Sequence, residues 1–178
     1  MAYYSKIKNV DQIIENISNL KNPKGRFDLI SFKTNKIIVD YAHTPESISQ
    51  VIKYVNPYFS KVVVLFGAGG NRDKEKRKLM GTASQLADSV IVTNDNPRNE
   101  DPIQISNDIL KGCDLSKTNV ILDRKEAITS AINELKENSV LLVLGKGHEM
   151  YQEINNSHIP FNDNDFINET IGGLIWLQ

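Results

Sequence analysis

Cysteine is almost absent, neither sign of charge predominates, and no long apolar run occurs; each shortage excludes a class of protein. Cys113 is the single cysteine among 178 residues, which excludes an internal disulfide and a zinc site made of several cysteines. Lys and Arg total 21 and Asp and Glu total 22, a net charge of −1, whereas a nucleic-acid-binding domain is usually clearly basic. No apolar run reaches the roughly 20 residues that cross a bilayer, and the first residues lack the apolar segment of a signal peptide. We therefore expect a cytoplasmic protein that binds neither nucleic acid nor a membrane.

Two catalytic motifs are also missing. The three histidines, His43, His148 and His158, are far apart and form no zinc-protease motif, so no metal site is expected. No segment ends in the Gly-Lys-Ser/Thr of a Walker A loop, whose backbone holds the phosphates of ATP. We therefore expect that the 178 residues by themselves do not turn over ATP.

Short β-branched runs alternate with amphipathic segments along the middle of the chain. The runs are typical of strands that are buried on both faces, and the segments between them carry apolar residues at helical spacing. The predicted strands are 37–39, 62–66, 90–92, 120–122 and 140–144, and the predicted helices are 46–55, 76–87, 103–110 and 126–135. This order predicts an α/β, Rossmann-like fold, in which a mostly parallel, twisted sheet of about six strands has helices on both faces.

The two ends of the chain depart from this alternation. Residues 10–20 have the spacing of a lone amphipathic helix, and Asn22-Pro23-Lys24-Gly25 ends it. Residues 152–154 and 158–161 flank Asn155-Asn156-Ser157 and predict a C-terminal hairpin, after which Asp163 is placed to cap a final helix. We therefore divide the chain into residues 1–22, a helix and linker, and residues 23–178, the α/β domain.

Four polar motifs directly follow predicted strands. They are Asp-Tyr-Ala-His-Thr-Pro at 40–45, Gly-Ala-Gly-Gly-Asn-Arg-Asp-Lys at 67–74, Asn-Asp-Asn-Pro-Arg at 94–98 and Gly-Lys-Gly-His-Glu at 145–149. The carboxyl ends of parallel strands share one edge of a sheet, and ligands of open α/β sheets bind outside that edge. We therefore expect the four motifs to converge on one site.

The first two motifs suit a nucleotide or another anion. Asp40 can accept a hydrogen bond from a sugar hydroxyl, with His43 as a polar wall or a proton partner. Asp40 and Thr44 are equally suited to capping the turn before Pro45. The glycines of 67–70 let the backbone approach a ligand closely. The five cations and two acidic residues of 72–78 would oppose a helix dipole, which an anionic ligand would relieve.

The other two motifs suit the charged head of an amino acid. Arg98 can bind a carboxylate through two hydrogen bonds, and Asp95 can accept from an ammonium. Glu149 follows a glycine-rich turn and offers a second acceptor. The alternative for Asp95-Asn96-Pro97-Arg98 is an ordinary turn with its charges in solvent.

In this order, the motifs resemble the C-terminal domain of the Mur ligases, above all of the members that add meso-diaminopimelate to a peptidoglycan precursor. The resemblance covers roughly residues 10 to 170. The matching segments are Gly25-Arg26, 39–45, 66–77, 93–98, Asp123-Arg124 and 145–149 with Tyr151-Gln152. The resemblance implies that residues 1–22 correspond to the last helix of a preceding central domain, which in the family carries the Walker A loop.

The resemblance also implies a reaction and a set of contacts. ATP with Mg²⁺ would activate the D-glutamate side-chain carboxylate of UDP-MurNAc-L-Ala-D-Glu as an acyl phosphate, which the amine of meso-diaminopimelate would attack. The family's amino-acid contacts fall on Arg72, Asp95, Asn96, Pro97, Arg98, Gly145 and Glu149. Its ATP contacts fall on Asp40, Arg26 and His43, and its catalytic positions on Lys74 and His43.

Two other interpretations stay open. One is another amide ligase of the superfamily, of the folylpolyglutamate or cyanophycin type, against which Asp95-Asn96-Pro97-Arg98 argues. The other is a non-catalytic module that binds an amino acid or a protein, which the missing Walker A loop favours for this chain alone. Lanthionine, a near relative of diaminopimelate, is a further option for the amino acid.

Overall fold

The computed structural model describes residues 23–176, which form a six-stranded sheet with helices on both faces and a separate two-stranded hairpin. The sheet strands are β1 (Asp28–Phe32), β2 (Asn35–Asp40), β3 (Lys61–Phe66), β4 (Ser89–Val92), β5 (Thr118–Val120) and β6 (Ser139–Leu144). The hairpin strands are β7 (Tyr151–Ile154) and β8 (Ser157–Pro160). The helices are α1 (Pro45–Val55), α2 (Glu75–Ser84), α3 (Pro102–Leu110), α4 (Arg124–Asn133) and α5 (Asp163–Trp176), with a 3-10 turn at Asn56–Tyr58.

The strands are ordered β1-β2-β6-β3-β4-β5 across the sheet. β1 runs antiparallel to β2, and every other neighbouring pair of the sheet is parallel. The strands that precede the polar motifs, β2, β6, β3 and β4, are therefore neighbours that end at the same edge. The predicted sheet and the predicted C-terminal hairpin are both confirmed.

Two apolar cores cover the two faces of the sheet. Ile38, Val64 and Leu142 belong to the core beneath α1, α2 and α3. Their neighbours in the strands, including Leu65 and Val143, belong to the core beneath α4 and α5. Alternate residues of a strand face opposite sides, so a central strand needs apolar residues throughout, and every residue of β6 is buried.

The strands at the two edges of the sheet differ from the prediction. The pattern of apolar runs does not predict β1, whose residues are mostly exposed or half-buried and which returns to β2 through a turn with Lys33 at a φ of 53°. β5 covers 118–120 rather than the predicted 120–122, although Ile121 N still donates to Val92 O at 3.0 Å and Leu122 O accepts from Asn94 N at 3.3 Å. An edge strand has a single neighbour and less burial, so its sequence is less constrained.

Local hydrogen bonds fix the starts of α1 and α5. Thr44 caps α1, as predicted: its Oγ1 accepts from Ser47 N at 3.2 Å, with Pro45 at the first helical position. Asp163 does not cap α5, contrary to the prediction, because Asn162 Oδ1 accepts from Asp165 N at 3.1 Å. Asp163 is instead buried against Arg124, since a buried guanidinium requires an opposite charge.

The predicted helix at 10–20, and with it the unit 1–22, lies outside the described residues. Within 23–176, no helix combines the length and the apolar character that crossing a membrane requires.

Candidate functional site

The polar motifs converge on one cleft at the carboxyl edge of the sheet. Its volume is about 370 Å³, and residues from all four motifs line it, which confirms the predicted convergence. The predicted site residues that line it are His43, Arg72, Asp95, Asn96, Arg98, Gly145 and Glu149. Those that do not line it are Arg26, Asp40, Lys74 and Pro97.

Close backbone contacts hold the cleft loops together. Gly70 N donates to Asn96 O at 2.8 Å, and a Cβ at Gly70 would overlap the carbonyl oxygen of buried Pro97. Gly145 has a φ of 108°, and a Cβ there would lie 2.5 Å from Asp95 Oδ2. Both positions therefore require glycine, and Pro97 contributes this packing rather than a wall of the cleft.

Asp95 is a buried carboxylate that the rest of residues 23–176 leaves without a hydrogen bond to its side-chain oxygens. The residue is 8% exposed, and its backbone carbonyl accepts from Gln152 Nε2 at 3.0 Å. Burial raises the pKa of Asp95, an effect that the charges of Arg124 and Lys146 oppose. An unsatisfied carboxylate in a cleft wall is suited to a ligand's ammonium.

Lys146 ties Asn96 to Glu149. Its Nζ lies 2.8 Å from Glu149 Oε2, 3.1 Å from Asn96 Oδ1 and 2.6 Å from Tyr151 O. Asn96 Nδ2 donates to Glu149 Oε2 at 2.7 Å. Burial alone would raise the pKa of Glu149, but the hydrogen bonds from Lys146 and Asn96 outweigh it and hold that pKa below its ordinary value.

Arg98 is held in a single orientation from three directions. Its φ is 53°, a strained value for a residue other than glycine, and backbone hydrogen bonds to Glu153 and Asn155 of the hairpin fix it there. Arg98 Nη1 donates to Gly70 O at 2.9 Å, and Nε lies 2.8 Å from Glu153 Oε2. Among the described residues Nη2 donates to no acceptor, so this nitrogen remains available to a ligand carboxylate.

Arg124 lies beneath two of the cleft loops. Its guanidinium forms a bidentate pair with Asp163, with both distances at 2.8 Å, and neither side chain is exposed. It also donates to Asn94 O at 3.3 Å and to Leu144 O at 3.1 Å. These two carbonyls immediately precede Asp95 and Gly145, so one buried cation joins both loops to the start of α5.

The cations of 72–78 separate into two groups. Arg77 is buried, pairs with Glu100 at 3.0 Å and Asp108 at 3.2 Å, and donates to Gly69 O at 3.3 Å. The Arg77 hydrogen bond lowers the pKa of Glu100 to about 2. Arg72 is exposed at the cleft, whereas Lys74, 64% exposed, lies 3.5 Å from Glu100 and outside the cleft lining. Arg77 therefore has a structural role. Arg72 has no ion pair within the described residues and can contact a ligand in the cleft.

The predicted nucleotide-side residues surround Tyr41. The Arg26 guanidinium lies 4.7 Å from the centre of the Tyr41 ring, and His43 Nδ1 is 2.7 Å from Tyr41 O. The carboxylate of Asp40 accepts from Phe27 N at 2.8 Å and from Ala42 N at 2.7 Å. Each of its oxygens therefore already accepts one backbone hydrogen bond, although a carboxylate has further acceptor capacity.

Four residues of the site have no individual role in the sequence-based interpretation: Arg77, Arg124, Lys146 and Glu153. Lys146 and Arg124 stand within the recognised motifs, and their position beside predicted site residues is the signal that could have identified them. Burial of Arg77 and the pairing of Glu153 with Arg98 depend on contacts between segments distant in sequence, which no local pattern encodes.

The buried and half-buried charges around the cleft are matched in pairs with one exception. Lys146 pairs with Glu149, Arg98 with Glu153, and Arg124 with Asp163. Asp95 alone among these buried or half-buried groups lacks a direct ion pair within 23–176. The cleft wall therefore presents an unpaired carboxylate beside two partly free guanidinium groups, Arg98 and Arg72, which suits a ligand with both an ammonium and a carboxylate.

Comparison with protein families matches residues 25–147 to the family described as "Mur ligase, glutamate ligase domain". The UDP-N-acetylmuramoyl-L-alanyl-D-glutamate--2,6-diaminopimelate ligase of Rickettsia prowazekii (strain Madrid E) is 46% identical over 169 residues, which is 93% of this chain and 35% of that enzyme. The enzyme of the same name from Aquifex aeolicus (strain VF5) is 42% identical over 165 residues, 90% of this chain and 34% of the relative.

Solved structures agree with these relatives. A structure of UDP-N-acetylmuramoyl-L-alanyl-D-glutamate--2,6-diaminopimelate ligase superposes with a TM-score of 0.82 at 36% identity, covering 94% of this chain and 35% of that one. Mycobacterium tuberculosis folylpolyglutamate synthase, complexed with ADP and AMPPCP, shares the fold at a TM-score of 0.61 and 18% identity, over 77% of this chain and 32% of its own. The chain spans about a third of the length of these proteins.

Proposed function

Because this chain belongs to the Mur ligase family, we propose that it is the amino-acid-binding domain of an ATP-dependent ligase that joins meso-diaminopimelate to UDP-MurNAc-L-Ala-D-Glu. The relatives that span most of its length carry that activity in their names. The domain's part in the reaction is to select the amino acid and present its amine. Most of the rate enhancement then comes from positioning and from neutralising charge.

The observation that carries the proposal is the unpaired carboxylate of Asp95 facing a cleft that also holds Arg98 and Arg72. Meso-diaminopimelate has a zwitterionic head at each end, whereas lysine ends in a bare ammonium. Asp95 and Glu149 are assigned to the ammonium of the distal head, and Arg98 and Arg72 to its carboxylate. Lysine could satisfy only the first pair, so the arginines distinguish the two amino acids.

The nucleotide side of the cleft fits a polyanion. Tyr41, with Arg26 over its ring, offers an aromatic surface with an adjacent cation, and Lys76 adds a positive charge to the lining. When bound, ATP with Mg²⁺ supplies the phosphoryl group that activates a carboxylate. The roles proposed for this chain's residues are contact with the nucleotide by Asp40, Arg26 and His43, and neutralisation of phosphate charge by Lys74.

A chimeric ligase tests the proposal. The chain replaces the corresponding C-terminal third of the Rickettsia prowazekii relative, and ADP release is measured with meso-diaminopimelate and with L-lysine. We expect turnover that depends on UDP-MurNAc-L-Ala-D-Glu and prefers meso-diaminopimelate over lysine. The 178 residues alone should release no ADP, because their sequence has no Walker A loop.

Four outcomes would contradict the proposal. A chimera that folds but remains inactive would reject the ligase role, and equal use of lysine would reject the selectivity. Preference for glutamate over both would favour a ligase of the folylpolyglutamate type. Saturable ADP release by the 178 residues alone would show that a phosphate site exists within this chain.

A further inference from the structure

Lys146 is the least expected charged group of the site. Its side chain is fully buried, although burying an ammonium is costly unless each of its hydrogens finds an acceptor. The three acceptors are Glu149 Oε2, Asn96 Oδ1 and Tyr151 O. These come from the loop after β6, the loop after β4 and the hairpin, so the lysine connects three separate segments beside the cleft.

We propose that Lys146 is a positioning residue for the distal ammonium of the bound amino acid. It holds Glu149 by one carboxylate oxygen and Asn96 by its side-chain carbonyl, so that Glu149 Oε1 is presented to that ammonium. This inference rests on the proposed function and extends it to a residue that does not itself line the cleft. It assigns Lys146 no contact with the ligand.

The hydrogen bonds of Asn96 fix the direction of its amide. Asn96 Oδ1 accepts from Lys146 Nζ at 3.1 Å and from Glu153 N at 2.9 Å, and both of these atoms can only donate. The amide nitrogen must therefore face Glu149, to which it donates at 2.7 Å. Without Lys146, one of the two constraints on this orientation is lost.

The same contacts divide the two oxygens of Glu149. Oε2 accepts from both Lys146 and Asn96, while Oε1 has no hydrogen bond within the described residues, on a side chain that is 25% exposed and lines the cleft. The carboxylate is thus anchored by one oxygen and open to a ligand through the other.

Lys146 also determines whether Glu149 is charged. Burial would raise the pKa of Glu149, and Lys146, Asn96 and the nearby charge of Arg98 lower it. Asp95 and Arg124 complete the charged surroundings, since each interacts electrostatically with Glu149. Without Lys146, burial and the charge of Asp95 would both raise the pKa of Glu149. Glu149 would then stay protonated up to a higher pH, and the protonated form attracts an ammonium poorly.

The test is titration of the 178-residue chain with meso-diaminopimelate, followed by NMR between about pH 4 and 8.5. The variants are K146M, which keeps the length of the side chain, and K146Q, which keeps a donor without the charge. We expect the pH at which binding is half lost to rise by about one unit or more in both, with binding about tenfold weaker at the acidic end of the range and nearly restored at pH 8.5.

A double-mutant comparison isolates Glu149. In an E149Q background most of the shift caused by K146M should vanish, and the remainder reflects the weaker action of Lys146 on Asp95. K111M is the matched control: Lys111 also pairs with a carboxylate three residues away, Asp108 at 2.6 Å, but it is 62% exposed and is not among the residues that line the cleft. It should leave the binding profile unchanged.

The outcomes separate this inference from the proposed function. Absence of binding by the unmodified chain would reject both. Binding by the unmodified chain together with an unshifted pH profile in K146Q, or with weakening that is equal at every pH, would reject the positioning role and leave the proposed function standing. If K146M loses its dispersed amide spectrum and hence its fold, K146Q decides.

Discussion

Arg98 combines a strained backbone, an ion pair to the hairpin and a free nitrogen at the cleft. In the chimeric ligase, Arg98→Ala would leave the ligand's distal carboxylate unpaired in a half-buried site. Losing one partner of such a pair costs about 2–5 kcal/mol, so the KM for meso-diaminopimelate should rise about 30-fold or more. Lysine does not offer that carboxylate, and its weak use should change little.

The control for Arg98→Ala is Glu153→Gln, because the first substitution also frees Glu153. Glu153→Gln removes the ion pair but keeps the guanidinium, and it should retain most of the preference for meso-diaminopimelate. The selectivity role of Arg98 would be refuted if meso-diaminopimelate and lysine declined together in Arg98→Ala.

Gly70 provides a second test at the scale of one residue. A Cβ at Gly70 meets the Pro97 carbonyl oxygen, so Gly70→Ala must displace the loop that carries Asp95 and Arg98. We expect a loss of about 1–3 kcal/mol in the free energy of unfolding, measured by urea denaturation. In Gly172→Ala, on α5, the added Cβ meets no atom within 4 Å, and the better helix propensity should make that variant equally or more stable. Similar effects of the two substitutions would contradict the packing argument.

At the scale of the elements, the pair Arg124–Asp163 attaches α5 to the cleft loops. Asp163→Asn leaves a buried guanidinium without its counter-charge, and we expect it to reduce the free energy of unfolding by about 3–5 kcal/mol. Asp165→Asn, in the same first turn but exposed, should cost only about 0.3–1 kcal/mol through the helix dipole. Urea denaturation of both variants is the measurement, and a small, equal effect would show that the buried pair contributes little.

The sequence predicts the central elements well and the edges poorly. β3 and β6 are recognisable because burial on both faces demands unbroken apolar runs such as Val62–Phe66. The edge strand β1 faces solvent and carries no such run, and β5 begins two residues before the apolar run that predicted it. Thr44 and Pro45 mark the start of α1 because capping is a local property. Asp163 misleads for the opposite reason, since its partner Arg124 is 39 residues away.

The same distinction applies to the cleft. The order of strands and motifs predicts that the loops meet, because parallel strands end at one edge. Which charges neutralise each other there is decided by side chains from separate loops, as in the pairing of Arg98 with Glu153 or of Asn96 with Lys146. The chemical type of the site is therefore readable from the sequence, while its arrangement of hydrogen bonds is not.

For the molecule as a whole, the ion pair between Arg77 of α2 and Glu100 makes the free energy of unfolding depend on pH. The pKa of Glu100 is about 2 in the folded chain, against an ordinary value of 4.5. The depressed pKa means that its contribution is complete above about pH 4.5 and is lost as the pH falls from there towards 2. We expect a loss on the order of 1–2 kcal/mol, less than the full shift would give, because solvent partly screens the pair.

Glu100→Gln checks this assignment. The difference in free energy of unfolding between the unmodified chain and the variant should be constant above about pH 5 and shrink as the pH falls from there to about 2. Carboxylates away from Arg77 are shared by the two proteins and cancel in the difference, whereas Asp108 shares Arg77 with Glu100 and is coupled to it. A difference that did not change with pH would show that Glu100 contributes through its shape rather than its charge.

The matched pairs of charges around the cleft have a consequence for the divergence of this family. Three ion pairs link positions 98 and 153, 146 and 149, and 124 and 163. Replacing one member of a pair leaves a buried or half-buried charge without its partner. Such positions should be replaced jointly among related sequences, and single replacements should be rare. Asp95 has no protein partner of this kind, and its replacement should instead accompany a change in the amino acid that the cleft accepts.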